Sequence, residues 1–226
     1  MTDGQGAPDR HPARLDARAV LRDVGRTVAR ADLALAYCVT VTAVSLVVLL
    51  GPHADAILDR VSGNVENLLS DPLVSQLASA LVVESLPGLA LVVPLLVALA
   101  YLQRFVGRLA SLVVGLAGHV GAGLVVAAGL SNGIFRGLLD ERLAEATDVG
   151  VSYVLASTTG FLVLAVPARL RWWYLAAVAA CWLVPGAFSR TFTDAGHVSA
   201  LVIGLLIALV AARTVAADRR ARAERP

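Results

Sequence analysis

The sequence contains no lysine, and all 19 of its basic residues are arginine. It has two cysteines, both inside apolar runs, so a disulfide-stapled fold and a zinc centre are excluded. Charged residues make up 16% of the chain, whereas soluble domains carry about 25%. With 58% hydrophobic residues and a mean hydropathy of +0.75, a soluble fold of 226 residues would lack the polar surface that water requires. The composition therefore predicts a membrane protein.

The apolar residues are concentrated in six stretches without a formal charge. A helix needs about 20 mostly apolar residues to cross the hydrocarbon layer of a bilayer, and each stretch is close to that length. We therefore predict an all-α polytopic protein with a bundle of six transmembrane helices. The predicted spans cover residues 33–50, 85–103, 109–130, 149–168, 172–189 and 195–212.

The arginines indicate the orientation of these spans. If the N-terminus lies in the cytoplasm, 15 of the 19 arginines fall on the cytoplasmic side. The four on the outer side are Arg60, Arg136, Arg142 and Arg190. Short cytoplasmic loops are enriched in basic residues, so both termini are expected to be cytoplasmic.

Three regions follow from this pattern: a basic, partly helical tail over 1–32, a membrane domain over 33–213, and a second basic tail over 214–226. Within the membrane domain, the outer segment 51–84 has helical apolar spacing and is expected to lie at the interface. Arginines recur every fourth residue in the first tail, which indicates either attraction to anionic lipids or a merely solvated helix face. This stripe consists of Arg14, Arg18, Arg22, Arg26 and Arg30.

Ionisable residues are rare inside the spans, and the two present are His119 and His197. A serine at position 152 would by itself be a packing residue, but its depth matches that of His197. Ser152 follows Asp148 by four residues and His197 follows Asp194 by three, which places both about 5 Å below the outer helix ends. Equal depth allows a serine nucleophile to meet a histidine base.

Small residues beside Ser152 and His197 predict close packing of the fourth and sixth spans. His119 lies deeper, near the midplane, and is expected to be a structural, hydrogen-bonded histidine, with a role near the site or along a water path as the alternative. The small-residue stripes are Ser152, Ala156 and Gly160 on one span, and Gly196, His197, Ala200 and Gly204 on the other.

A Gly-Xaa-Ser motif that opens the fourth span and a Gly-His motif that opens the sixth resemble those of the rhomboid intramembrane serine proteases. The stretch 51–213 looks like a divergent bacterial branch of small rhomboid-like proteins. The residues that carry this resemblance are Gly150-Val151-Ser152-Tyr153, Gly196-His197-Val198-Ser199-Ala200 with Gly204, Gly118-His119-Val120-Gly121, and the segments 62–69 and 192–197.

The resemblance implies that Ser152 is the nucleophile and His197 the general base of a protease without metal or cofactor. The substrate would be a transmembrane protein, cut near the outer face of a bacterial plasma membrane. The Ser152 backbone N–H would stabilise the oxyanion, with support from Gly150 and Tyr153. Asn64 or Asn67, on the outer loop, could replace a missing second oxyanion donor.

The sequence also departs from the family pattern. A bulky Tyr153 stands where glycine is usual, and Ala156 replaces an aromatic residue. The second span, 85–103, has neither His nor Asn, and the first outer loop has no Trp. These departures support an alternative, a non-catalytic rhomboid-like protein that binds or escorts transmembrane helices. A transporter has little support because no charge lies within a span, and nothing indicates nucleic-acid binding.

Overall fold

The computed structural model describes residues 17–189 and 191–223. Four arginines of the predicted charge pattern, Arg10, Arg14, Arg190 and Arg225, lie outside the described residues. Regular structure in the described ranges is entirely helical, which confirms the expectation of an all-α fold. The α-helices are α1 (Ala17–Ala29), α2 (Asp32–Leu49), α3 (Ala54–Val61), α4 (Val65–Ser70), α5 (Pro72–Ser79), α6 (Val92–Val106), α7 (Arg108–Phe135), α8 (Val151–Phe161), α9 (Arg171–Ser189) and α10 (Phe192–Ala223).

Five helical stretches of the described chain are long and apolar enough to cross a membrane, and the apolar segment Val151–Leu164 is a shorter sixth. The expectation of a polytopic integral membrane protein is therefore confirmed. The five long stretches are Asp32–Leu49, Pro87–Val106, Arg108–Phe135, Ala168–Ser189 and Phe192–Asp218.

The fourth predicted span, 149–168, differs most from its prediction. Helix α8 ends at Phe161 and tightens into a 3₁₀ turn over Leu162–Leu164. Pro167 follows closely, and proline biases the residue before it away from helical geometry. Nearly all of α8 is buried between α6, α7 and α10. Because protein surrounds this helix, it does not need the length of a lipid-facing span.

The segment between α2 and α6 forms three short helices. Asn64 caps α4 by accepting from the Asn67 backbone N–H, and Asp71 caps α5 by accepting from that of Val74. Pro72 occupies the first turn of α5, where its missing N–H costs no intrahelical bond. Asx capping and proline thus divide a segment that apolar spacing alone would make one helix. Its location at the membrane interface stays a prediction.

Backbone bonds join this segment to the stretch before α8. The Gly63 N–H donates to the Asp148 carbonyl at 2.7 Å, and the Gly150 N–H donates to the Ser79 carbonyl at 2.9 Å. The Ser62 hydroxyl accepts from the Asp148 N–H at 2.8 Å. These contacts fix the start of α8, and with it the position of Ser152.

Candidate active site at the start of helices α8 and α10

Ser152 and His197 meet where α8 and α10 begin. The Ser152 Oγ lies 2.8 Å from the His197 Nε2, although 45 residues separate them in sequence. Ser152 is the second residue of α8, and His197 lies in the second turn of α10. A serine nucleophile and a histidine base require this separation for proton transfer.

Glycine allows the two helices to approach closely enough for this contact. A Cβ added at Gly204 would lie 2.1 Å from the Ser157 carbonyl oxygen, and one added at Gly160 would lie 2.6 Å from that of Leu201. The backbones of α8 and α10 are therefore in direct contact. Ala156 and Ala200 are fully buried in the same interface.

Two aromatic rings flank His197. The Trp182 ring on α9 has its centroid 4.8 Å from that of the imidazole, with the planes inclined by 37°. Tyr153 contacts the imidazole edge-on at 5.4 Å and is itself almost fully buried. The Trp182 Nε1–H donates to the Thr159 hydroxyl at 3.2 Å, which anchors the indole to α8. Packing from two directions restricts the rotation of the imidazole.

The position of the Tyr153 side chain also explains why residue 196 is a glycine. A Cβ at position 196 would lie 2.2 Å from the Tyr153 hydroxyl oxygen. Tyr153 points into the protein core, where a cluster with Ala122, Ala156 and Ala200 surrounds it. The large residue after Ser152 therefore does not block access to the serine.

An open cleft of about 280 Å³ leads to the serine and histidine. Ser152, His197 and Trp182 line it together with Ser85 and Thr147. Glu84 and Asp148 also line the cleft.

The backbone N–H of Ser152 forms no hydrogen bond to any described residue. The first N–H groups of a helix have no intrahelical acceptor, and they carry the positive end of the helix dipole. By contrast, the Gly150 N–H already donates to Ser79, so Gly150 supports the loop and offers no amide to the cleft.

Asp148 is the buried acid nearest to this site. Burial raises the pKa of the Asp148 carboxyl to about 6, and the charge of Glu84 adds to the rise, while the Tyr153 hydroxyl beside it acts in the opposite direction. Its backbone is the point at which segment 62–79 joins the start of α8.

His119 is buried on α7 and hydrogen-bonded away from Ser152. Its Nε2 lies 2.7 Å from the Gln76 carbonyl oxygen and 3.2 Å from the Ser79 hydroxyl. A Cβ at Gly150 would lie 1.8 Å from the His119 ring, so the glycine makes room for the imidazole. His119 thus connects α7, α5 and the residue before α8.

Asn64 and Asn67, named above as possible replacements for a missing oxyanion donor, make other hydrogen bonds in this structure. The Asn64 amide donates to the Glu145 carbonyl at 3.0 Å. The Asn67 amide donates to the carbonyls of Asp59 and Ser62. Neither asparagine lines the cleft. Backbone acceptors hold both amides, so these residues stabilise the loop.

Sequence reasoning missed Trp182. The sequence contains an indirect signal for an aromatic residue elsewhere. Rhomboid proteases usually have an aromatic residue beside the histidine at the position of Ala156, and this chain has none there. All three tryptophans lie at 172, 173 and 182, in one span. Which of them faces His197 depends on the rotation of α9, and spacing does not define that rotation.

The protein is thus a helical membrane protein in which a serine and a histidine meet at one end of the helix bundle. A family model described as rhomboid-like protein matches residues 29–216, and the chain belongs to this family. No curated protein and no solved structure matches it.

Proposed function

We propose that this protein is an intramembrane serine protease of the rhomboid type, with Ser152 as the nucleophile and His197 as the general base. The observation that carries the proposal is the 2.8 Å separation between the Ser152 Oγ and the His197 Nε2 inside an open cleft. A histidine can activate a serine without a third residue.

In the proposed reaction, the His197 Nε2 accepts the hydroxyl proton while the Ser152 Oγ attacks a peptide carbonyl carbon. The resulting imidazolium then protonates the leaving amine, and the C–N bond breaks to leave an acyl-enzyme. His197 next takes a proton from a water molecule that attacks the ester. Collapse of the second tetrahedral intermediate returns the proton to the Ser152 oxygen.

The negative charge of each tetrahedral intermediate requires a donor. The unpartnered Ser152 N–H, at the positive end of α8, supports this role. The amides of Asn64 and Asn67 are occupied, so we propose no second donor from them.

The substrate in this proposal is a transmembrane protein. The cleft opens where two apolar helices begin, so a substrate helix that partly unwinds near the membrane surface brings its peptide bond to Ser152. The arginine pattern supports a site at the outer face of a bacterial plasma membrane.

A second candidate function is a non-catalytic protein that binds or escorts transmembrane helices. The specific observation in its favour is that Asn64 and Asn67 do not reach the cleft and the second predicted span contains no Asn or His. Loss of one oxyanion donor lowers the rate by a factor of about 10²–10³, so a site with a single donor is expected to be a slow catalyst.

Active-site labelling separates the two candidates. A fluorophosphonate probe is expected to label the purified full-length protein at Ser152 and to leave Ser152→Ala unlabelled. Ser199→Ala is the matched control, because this exposed hydroxyl donates to the Ala195 carbonyl within α10. His197→Ala should also reduce labelling to background. Equal labelling of wild type and Ser152→Ala, or a folded wild type that resists the probe, would contradict the protease.

A further inference from the structure

A polar cavity separate from the Ser152 cleft lies beside the start of α2 and the end of α6. The segment 62–79, which contacts the start of α8, lies at the other end of these two helices. The cavity encloses about 310 Å³ between α1, the start of α2 and the end of α6. Three arginines line it, Arg26, Arg30 and Arg104, with polar side chains from Thr27 and Gln103. Asp23 is the single acid in its wall.

The nearby carboxylates are already engaged. Asp23 accepts from the Tyr101 hydroxyl at 2.7 Å and from Arg104 at 2.9 Å. Asp32 accepts from Arg108 and, at 2.7 Å, from the Gln103 amide. These bonds hold the pKa of Asp23 below its usual range, so the group stays ionised beside Arg104.

Arg26 and Arg30 are not the hydrogen-bonded partners of these carboxylates: Asp23 pairs with Arg104 and interacts with Arg26 only at longer range. Neither forms an ion pair with a carboxylate of the described chain. Arg26 lies in the last turn of α1 and Arg30 is the first residue after this helix, and both line the cavity. With three arginines and one aspartate, the cavity wall carries a net charge of +2.

The cavity lies where two apolar spans end. Helix α2 begins at Asp32 and α6 ends at Val106, and both belong to stretches long and apolar enough to cross a membrane. We therefore expect the arginines beside these helix ends to lie at the level of the lipid headgroups. Guanidinium groups bind phosphate oxygens in bidentate geometry, and basic pockets between transmembrane helices bind anionic headgroups.

We propose that this cavity binds the phosphate group of an anionic phospholipid through Arg26, Arg30 and Arg104. The site is independent of the proposed protease activity. It also differs from a uniformly basic stripe, because Arg18 and Arg22 lie on the same helix but do not line the cavity.

The test measures lipid binding to the full-length protein in a neutral detergent. Native mass spectrometry with phosphatidylglycerol gives an apparent affinity, and phosphatidylcholine and inorganic phosphate serve as comparison ligands. The double variant Arg26→Gln/Arg30→Gln should bind phosphatidylglycerol about 30-fold more weakly, since each arginine near an anionic lipid contributes about a tenfold or smaller gain. The control Arg18→Gln/Arg22→Gln removes equal charge from α1 and should retain wild-type affinity.

Three results would overturn the proposal. Equal weakening in both double variants would indicate diffuse surface charge. Binding of phosphatidylcholine as tight as that of phosphatidylglycerol would remove the requirement for an anion. If millimolar inorganic phosphate displaced phosphatidylglycerol from the cavity, the cavity would be assigned to a free anion. The melting temperature of each variant without lipid is compared with that of the wild type, and equal values exclude misfolding. If the double variant melts at a lower temperature, the single variant Arg30→Gln is used in its place.

Discussion

His197 is oriented by its neighbours and forms no hydrogen bond to a carboxylate in the described chain, although the charge of Asp194 acts on its imidazole at longer range. Trp182 and Tyr153 contact its ring from α9 and α8. A third member of a catalytic triad normally fixes the base by a hydrogen bond to its second nitrogen. Here the restriction is steric, which makes Trp182 a positioning residue for the proposed base.

Replacing Trp182 with Ala should lower kcat about tenfold and leave KM within about twofold, because the indole restricts the imidazole and an incorrectly aligned base loses rate. Trp182→Phe should retain most of the activity, since a phenyl ring preserves the packing. Cleavage kinetics with a fluorogenic transmembrane substrate measure both constants.

Trp173→Ala is the control for Trp182, because this residue is 77% exposed on the same helix. It should leave kcat unchanged. A Trp182→Ala enzyme with full kcat would show that Tyr153 alone orients the base.

The interface of α8 and α10 sets the distance between Ser152 and His197. Gly204 lies against the Ser157 backbone and Gly160 against that of Leu201. Two backbones in contact leave no space for a side chain between them. The separation of serine and histidine therefore depends on glycines several residues away from either group.

Gly204→Ala should destabilise the protein by about 1–3 kcal/mol, as overpacking of a tight interior does, and should abolish fluorophosphonate labelling. The new Cβ would lie 2.1 Å from the Ser157 carbonyl oxygen and push the helices apart. Thermal unfolding in detergent and labelling at a temperature where the variant is folded measure the two effects.

Gly129→Ala on α7 is the matched control, because a Cβ there meets nothing within 4 Å. It should be neutral or slightly stabilising, since alanine is the better helix former. A Gly204→Ala variant with wild-type stability and labelling would contradict direct backbone contact.

The sequence was sufficient to predict the helical class, the apolar stretches and the two residues that meet at 2.8 Å. Composition, the distribution of charge and depth along a helix can be read from the sequence without knowing how the helices pack. The end of α8 and the role of Trp182 depend on how segments pack together. The two asparagines show the same limit, because an exposed amide and one that donates to a backbone carbonyl look identical in sequence.

Across the whole molecule, charge distinguishes the two ends of the bundle. The cleft end carries Glu84 and Asp148, and the α1 end carries the ion pairs Asp23–Arg104 and Asp32–Arg108. An asymmetry of this kind is expected for a protein that inserts with one orientation.

The arginine pattern predicts that both termini face the cytoplasm. In a background with Cys38→Ala and Cys181→Ala, a membrane-impermeant maleimide should label Leu138→Cys in intact bacterial cells. Ala217→Cys should react only after permeabilisation, because α10 ends on the opposite side. The reverse labelling pattern would contradict this orientation.

The contact between Ser152 and His197 joins α8, which protein encloses on nearly all sides, to α10, the last helix of the described residues. Synthesis proceeds from the N-terminus, so α8 with its Ser152 is made before residues 192–223. Until α10 inserts, the serine has no histidine within reach, and the face of α8 that Gly204 contacts remains uncovered. Assembly of the serine–histidine pair therefore requires α10, so a product that lacks this helix holds Ser152 without its proposed base.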